Sequence, residues 1–364
     1  MDLFEYARQH SGEIVWMSQN TNQIPTSPVI EEAMIEAIQS REYNLYHPER
    51  GVKGLPEALL HELGAPAEYD ALITNGAIEG LYILSRALLS EGDEVICTDP
   101  SFMPIHHQVS LSKARPVEIN VYRPPWKLTP EWVNEAITRR TKMLLLIDPL
   151  NPLGTPYTMA EVRALCEIAE DRNLTVVDDV TYMDFSPAHT STFSFVPEKS
   201  VIAYSFSKNC GLAGMRIGAL AGPKEVIAAV TKYNTNVLGT NIIAQRAAMA
   251  ALRTKRDWMP RMLSTAMRNQ EIIKEAVDRV SGTFIPVYPS ATNMFVVDIG
   301  NTGISPDDVQ ERMLLDHKVF VRAGSYVSKT LGSRFIRVSF TVPAEGARRF
   351  AEAFSAVMEG LAER

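Results

Sequence analysis

One lysine sits where an amine can do covalent chemistry. Lys208 lies in Ser205-Phe206-Ser207-Lys208-Asn209-Cys210-Gly211-Leu212-Ala213-Gly214-Met215-Arg216-Ile217-Gly218, eight residues before Arg216 and just after the apolar run Val201–Tyr204. A lysine set against a buried strand is costly unless its amine is paired or covalently used. Two hydroxyls, a glycine-rich turn and a fixed cation are what a phosphate needs. Together they point to a lysine that forms a Schiff base beside a phosphate, the chemistry of pyridoxal phosphate.

The elements that must position this lysine are legible around it. Short β-rich apolar runs occur at Ala71–Thr74, Glu94–Thr98, Met143–Ile147, Leu174–Val177 and Val201–Tyr204. Helical patterns separate them, among them a Thr158-Met159-Ala160-Glu161 capping box that opens a helix to about Asp171. Strands alternating with helices predict an α/β fold with a mostly parallel sheet buried on both faces. Ser27-Pro28 ahead of Val29, Ile30, Ala33, Met34 and Ala37 reads as another capped helix. From about residue 255 the texture changes to a long helical stretch reaching Val280, the runs Met294–Ile299, Lys318–Val321 and Phe335–Phe340, and a closing helix from Ala344. That predicts a large domain over 45–255 and a smaller α+β domain built from 1–44 and 256–364.

Polar residues follow the strands, and ligands of parallel α/β sheets sit outside the carboxyl ends of the strands. Thr74-Asn75-Gly76-Ala77-Ile78-Glu79 follows the first run, Asp148 to Gly154 the third, Asp178-Asp179-Val180-Thr181-Tyr182 the fourth and Ser205 to Lys208 the fifth. Four such segments on one edge make a site.

Bulk properties narrow the class. The net charge of −7 over 364 residues comes without a basic block, which argues against a nucleic-acid or membrane partner. Cys97, Cys166 and Cys210 stand singly, without metal-ligand spacing, so no metal is expected and Cys210 reads as a small buried thiol. With no basic and apolar leader at the N-terminus, the expectation is a cytoplasmic enzyme.

At this point the chain resembles the class I/II aminotransferases of the fold-type I pyridoxal phosphate enzymes, from about Val15 to its C-terminus. The lysine segment is similar to S-x-S-K-x-x-G-L-x-G-x-R-x-G, and Asp148 to Gly154 to N-P-x-N-P-T-G. Tyr288 to Phe295 and Phe320-Val321-Arg322 resemble the histidinol-phosphate aminotransferase branch, whereas Tyr46-His47-Pro48-Glu49-Arg50-Gly51 is nearer the aspartate aminotransferase pattern. Asp148, Leu153, Val180 and Asn209-Cys210 depart from the family pattern. The resemblance implies the three-layer fold of aspartate aminotransferase and amino transfer between an L-amino acid and a 2-oxo acid. That transfer would be a ping-pong cycle through a Lys208 aldimine, with decarboxylation or β-elimination as alternatives on the same scaffold.

The resemblance also implies roles for single residues. Lys208 holds the cofactor and shuttles the substrate proton, and Asp179 pairs with the pyridinium nitrogen. The family's D-x-x-Y spacing selects Asp179 because Tyr182 lies three residues on, leaving Asp178 as a helix-cap or loop acid. Tyr182 and Asn151 donate to the phenolic oxygen, and Phe102 stacks on the ring. Gly76, Ala77 and Ile78 offer backbone N–H groups to the phosphate, joined by Ser205, Ser207 and Arg216. Tyr46 reaches the phosphate of a second subunit, which implies a homodimer. Arg337, alternating with Ile336 and Val338, takes the substrate α-carboxylate. Arg322 either contacts the distal group or serves as a rim cation. Asn293 either helps hold the carboxylate or supports the domain junction.

Overall fold

Val, Ile, Leu and Ala dominate the strands at the centre of the molecule, whose computed structural model describes residues 2–363. A short strand near the N-terminus, β1 (Val15–Trp16), precedes the central set of β2 (Tyr69–Thr74), β3 (Glu94–Asp99), β4 (Arg115–Asn120), β5 (Thr141–Ile147), β6 (Thr175–Asp179), β7 (Ser200–Ser205) and β8 (Gly218–Pro223). These seven pair in the order β2-β8-β7-β6-β5-β3-β4. Only β8 is reversed, running antiparallel to both β2 and β7. β3 and β5 to β8 are buried end to end or nearly so, as expected where helices cover both faces.

The five expected runs of this sheet fall on β2, β3, β5, β6 and β7 with ends shifted by one or two residues; Leu174 lies just ahead of β6. Two strands carry too weak a signal to be read. β4 is a half-exposed edge strand, RPVEIN, and β8 is the small-residue stretch GALAGP. The reversal of β8 matters for the site. It brings the start of β8, with Arg216 just ahead of it, to the edge where the parallel strands end, because Gly218 pairs with both Thr74 and Ser205. Only glycine fits there: a Cβ on Gly218 would lie 2.3 Å from the Ala77 nitrogen.

A second sheet orders β11 (Arg322–Ala323), β12 (Phe335–Ser339) and β9 (Met294–Asp298) antiparallel, while β1 pairs with β10 (Val319–Phe320) in parallel. The expected strand at Lys318–Val321 is thus shortened to β10, and Arg322–Ala323 just beyond it form β11 on the other sheet. Met17 stitches the N-terminal segment between them, donating its N–H to Phe320 and accepting from that of Ser339. The long helix begins at Ile242, not near 255, because Asn241 caps it by accepting from the N–H groups of Ile243 and Ala244. At 38 residues it spans roughly 57 Å. Its early alanines (Ala244, Ala247, Ala248, Ala251) share a core cluster with Ala71 and Ile73 of β2 and Ala219 and Ala221 of β8, and its late Ile273 and Val277 share one with the small sheet. Residue 255, the expected domain boundary, therefore lies inside this one helix. No helix among the described residues is long and apolar enough to cross a membrane.

Candidate active site

The carboxyl ends of the parallel strands open on a cavity of about 360 Å³. Lys208, Asp179, Tyr182, Asn151, Ser205 and Ser207 reach it from the central sheet, and Arg322 and Arg337 from the small one. The half-buried Lys208 donates from its amine to the Gln19 carbonyl at 3.3 Å. Burial, and then the Arg337 and Arg216 charges, push its pKa down to about 8, with Asp179 pulling the other way.

Asp179 ends β6 on the cavity side. Its carboxylate accepts from the Thr181 hydroxyl at 2.5 Å and the Thr181 N–H at 3.1 Å. Burial raises its pKa, which these bonds and Lys208 oppose. Asp178 is neither a helix cap nor a loop acid. It is a strand residue facing away from the cavity, because successive side chains of a strand alternate, and it accepts from the N–H and hydroxyl of Thr192. The Tyr182 hydroxyl accepts from the Asn20 amide at 3.2 Å, and burial pushes its pKa up to about 12.

At the other end of the cavity, helix Ala77–Leu88 points its first turn inward, and a helix supplies no acceptors for those N–H groups. Gly76 does not itself line the space but shapes it from beneath. Its φ of +80° admits only glycine comfortably, and a Cβ would stand 2.4 Å from an Arg216 guanidinium nitrogen. Arg216 is held by a bond to the Ala213 carbonyl at 2.8 Å and has no acidic partner among the described residues. Ser205, Ser207, Ala77 and Ile78 complete this end. A cradle of glycine, helix terminus, hydroxyls and an uncommitted guanidinium fits a phosphate, and Lys208 and Asp179 fit an aldehyde and a ring nitrogen. The donor set suits pyridoxal phosphate.

Arg337 is buried, donates to the Ser18 carbonyl at 2.8 Å, stands 3.5 Å from the Asn151 amide oxygen and leaves its Nε without a partner. Arg322 lies directly opposite Arg337 across β11 and β12, its guanidinium 3.9 Å from the ring centre of Tyr326 and 4.9 Å from that of Phe4. Phe102, just ahead of helix Met103–Leu111, forms one wall. Asn293 is not a cavity residue. Its amide, fully buried, donates to the Asn20 carbonyl at 2.8 Å and the Thr341 hydroxyl at 3.1 Å, so it supports the junction through which Asn20 reaches Tyr182. Tyr46 is 82% exposed and does not line the cavity of its own chain. Phe4, Gln19, Asn20, Thr181 and Tyr326 line the cavity without having been singled out from the sequence.

The depressed pKa of Lys208 has a kinetic consequence. The neutral amine attacks an aldehyde, so below pH 8 the rate at which cofactor-free protein takes up pyridoxal phosphate should rise about tenfold per pH unit and then level off. Stopped-flow absorbance across pH 6 to 9.5 measures this; a rate still climbing steadily beyond pH 9 would contradict it.

The model of the family "Aminotransferase class I and II" matches residues 12–354. The aspartate aminotransferase of Pyrococcus horikoshii is 28% identical over 361 residues, covering 94% of this chain and 90% of that protein. The histidinol-phosphate aminotransferase of Methanosarcina mazei is also 28% identical, covering 91% and 84%. A double mutant of Thermus thermophilus aspartate aminotransferase superposes with a TM-score of 0.85 at 26% identity, covering 98% of this chain and 94% of that one. The chain belongs to the class I and II aminotransferases, pyridoxal-phosphate-dependent enzymes that move an amino group between an amino acid and a 2-oxo acid.

Proposed function

We propose that the chain works as a homodimeric transaminase in a two-half ping-pong cycle, with Lys208 as its acid–base centre and Arg337 as its carboxylate anchor. The observation that carries this is the convergence of Lys208, Asp179 and Arg337 on one cavity whose far end is built for a phosphate. Pyridoxal phosphate, when bound, supplies an aldehyde for covalent capture of amines and a ring that accepts the electron pair left at the substrate α-carbon. Ala77, Ile78, Ser205, Ser207 and Arg216 hold its phosphate. The Asp179 carboxylate, fixed by Thr181, keeps a proton on the ring nitrogen. Tyr182 and Asn151 serve the phenolic oxygen, and Phe102 covers one ring face.

Arg337 takes the substrate carboxylate and so fixes which bond at the α-carbon stands across the ring. The Lys208 amine, released once substrate is bound, removes the α-proton as a base and returns it one atom away as an acid. A pKa near 8 suits both halves of that task. Arg322 faces the space beyond Arg337 and serves the distal end of the substrate.

An apolar face around Tyr46 supports the dimer. Leu45 and Tyr46 are exposed beside Val237 and Leu238, and His47 N–H donates to the Leu238 carbonyl. A second copy there would let Tyr46 reach the partner's phosphate. The cysteines are buried and unpaired, which suits the reducing cytoplasm. Single-turnover spectra with a panel of amino acids test the reaction. Productive donors should convert the visible band to that of the aminated cofactor without release of carbon dioxide or ammonia. Gas or ammonia as the main outcome would select decarboxylation or elimination instead.

A further inference from the structure

Behind the cavity lies a buried cluster that the chemistry above does not use. Asp148 stands where the family pattern has asparagine, and its carboxylate is 1% exposed. One of its oxygens accepts from the Tyr157 N–H at 3.2 Å, closing the base of the loop that carries Asn151. The other lies 3.1 Å from Nδ1 of His189, itself 7% exposed. The Asp148 N–H donates to the Asp179 carbonyl at 3.2 Å. Two residues on from His189, Ser191 precedes the turn Thr192–Ser194, whose Thr192 donates to Asp178. An asparagine at 148 would bury no charge; an aspartate there needs a partner, and the segment after Tyr182 supplies one.

We propose that His189 is a positioning residue for transamination, clamping through Asp148 the loop that carries Asn151 to the segment that carries Asp179 and Tyr182. Asn151 and Tyr182 meet at the phenolic oxygen while Asp179 serves the ring nitrogen, so a shift between these two pieces of chain would misplace the ring relative to Lys208. The inference rests on the transaminase reading for the role of those residues. The groups facing His189 are Asp148, Asp178 and, farther off, Asp184; Asp178 in turn faces Cys166 and Tyr69. Although burial alone would lower it, contact with Asp148 and these carboxylates raises the histidine's pKa. The charged pair is therefore intact at low pH and lost as pH rises through that elevated value.

The test compares His189→Gln, Asp148→Asn and the double variant by pyridoxal phosphate titration of the cofactor-free proteins, pH dependence of kcat, KM for the amino donor and Tm. His189→Gln leaves a buried unpaired carboxylate. It should weaken cofactor affinity and kcat about tenfold with little change in KM, and the double variant should recover most of that loss. The alkaline limb of kcat assigned to loss of the charged pair should be absent from Asp148→Asn, which has no carboxylate for His189 to pair with. Additive losses in the double variant would overturn the clamp. So would a His189→Gln protein of lower Tm whose folded fraction binds cofactor and turns over normally. A wild-type protein that binds no pyridoxal phosphate would instead sink the transaminase reading itself.

Discussion

Replacing Lys208 with alanine is expected to lower kcat by about 10³-fold or more, near the upper end of what a positioned acid–base group supplies. The variant should still bind pyridoxal phosphate, because the phosphate cradle and Asp179 are untouched, but borohydride followed by intact-mass measurement should find no covalent adduct. Stability separates this from a folding defect. The Lys208 pKa in the folded protein, about 8, lies below the ordinary value of 10.5. Folding therefore disfavours the ammonium, and stability is lost as pH falls from 10.5 towards 8. At pH 7 the alanine variant is relieved of that cost, though it leaves a small cavity, so its Tm should hold or rise. A small primary amine that fits the vacated space should restore part of the rate. A variant that keeps a tenth of wild-type kcat would remove Lys208 from the proton transfer.

What the sequence reveals and what it hides have separate physical causes here. Asp179, Asn151, Ser205 and Lys208 were legible because each follows a short apolar run, and a buried parallel strand ends where a site begins. Arg337 was legible from its alternation with the core residues Ile336 and Val338, taken together with the family resemblance. Gln19, Asn20 and Phe4 were not, because they reach the cavity through pairings more than 300 residues apart, Val15 with Val319 and Trp16 with Phe320. No local pattern encodes such a closure. Thr181 was hidden for another reason: a threonine two residues past an aspartate is ordinary turn chemistry, and only burial turns its hydroxyl into the fixed partner of Asp179. Asp178 misled because adjacent acids read as the start of a loop. β6 continues through both, sending one carboxylate to the cavity and the other to Thr192. The Asp148 departure was visible, but its compensation by His189 was not, since 41 residues separate them in the chain.

Arg337→Gln should raise KM for both amino and oxo acids by about 10²-fold or more while leaving the visible band of bound cofactor unchanged. The expectation follows from how the guanidinium is held. Arg337 and Arg322 are directly opposed across an antiparallel pair, where like charges repel, and neither has a carboxylate partner among the described residues. Burial first, with Arg322 adding to it, pushes the Arg337 pKa down to about 10. Its fixed contacts are the Ser18 carbonyl and the Asn151 amide oxygen, neither of which carries charge. A buried cation so placed is short of one anion. Truncating one side of a buried charge pair costs roughly 2–5 kcal/mol, or about 30-fold to several thousandfold in binding. Arg337→Lys should not rescue it, because an ammonium cannot offer the flat two-pronged donor that a carboxylate fits. The unliganded glutamine variant should be no less stable than the wild type, since it loses an unmatched charge. Stabilisation by added 2-oxo acid, which grows with the logarithm of ligand over Kd, should vanish. A thermal-shift titration reads both at once. Retained stabilisation by 2-oxo acid in Arg337→Gln would move the carboxylate anchor elsewhere, with Arg322 the next residue to test.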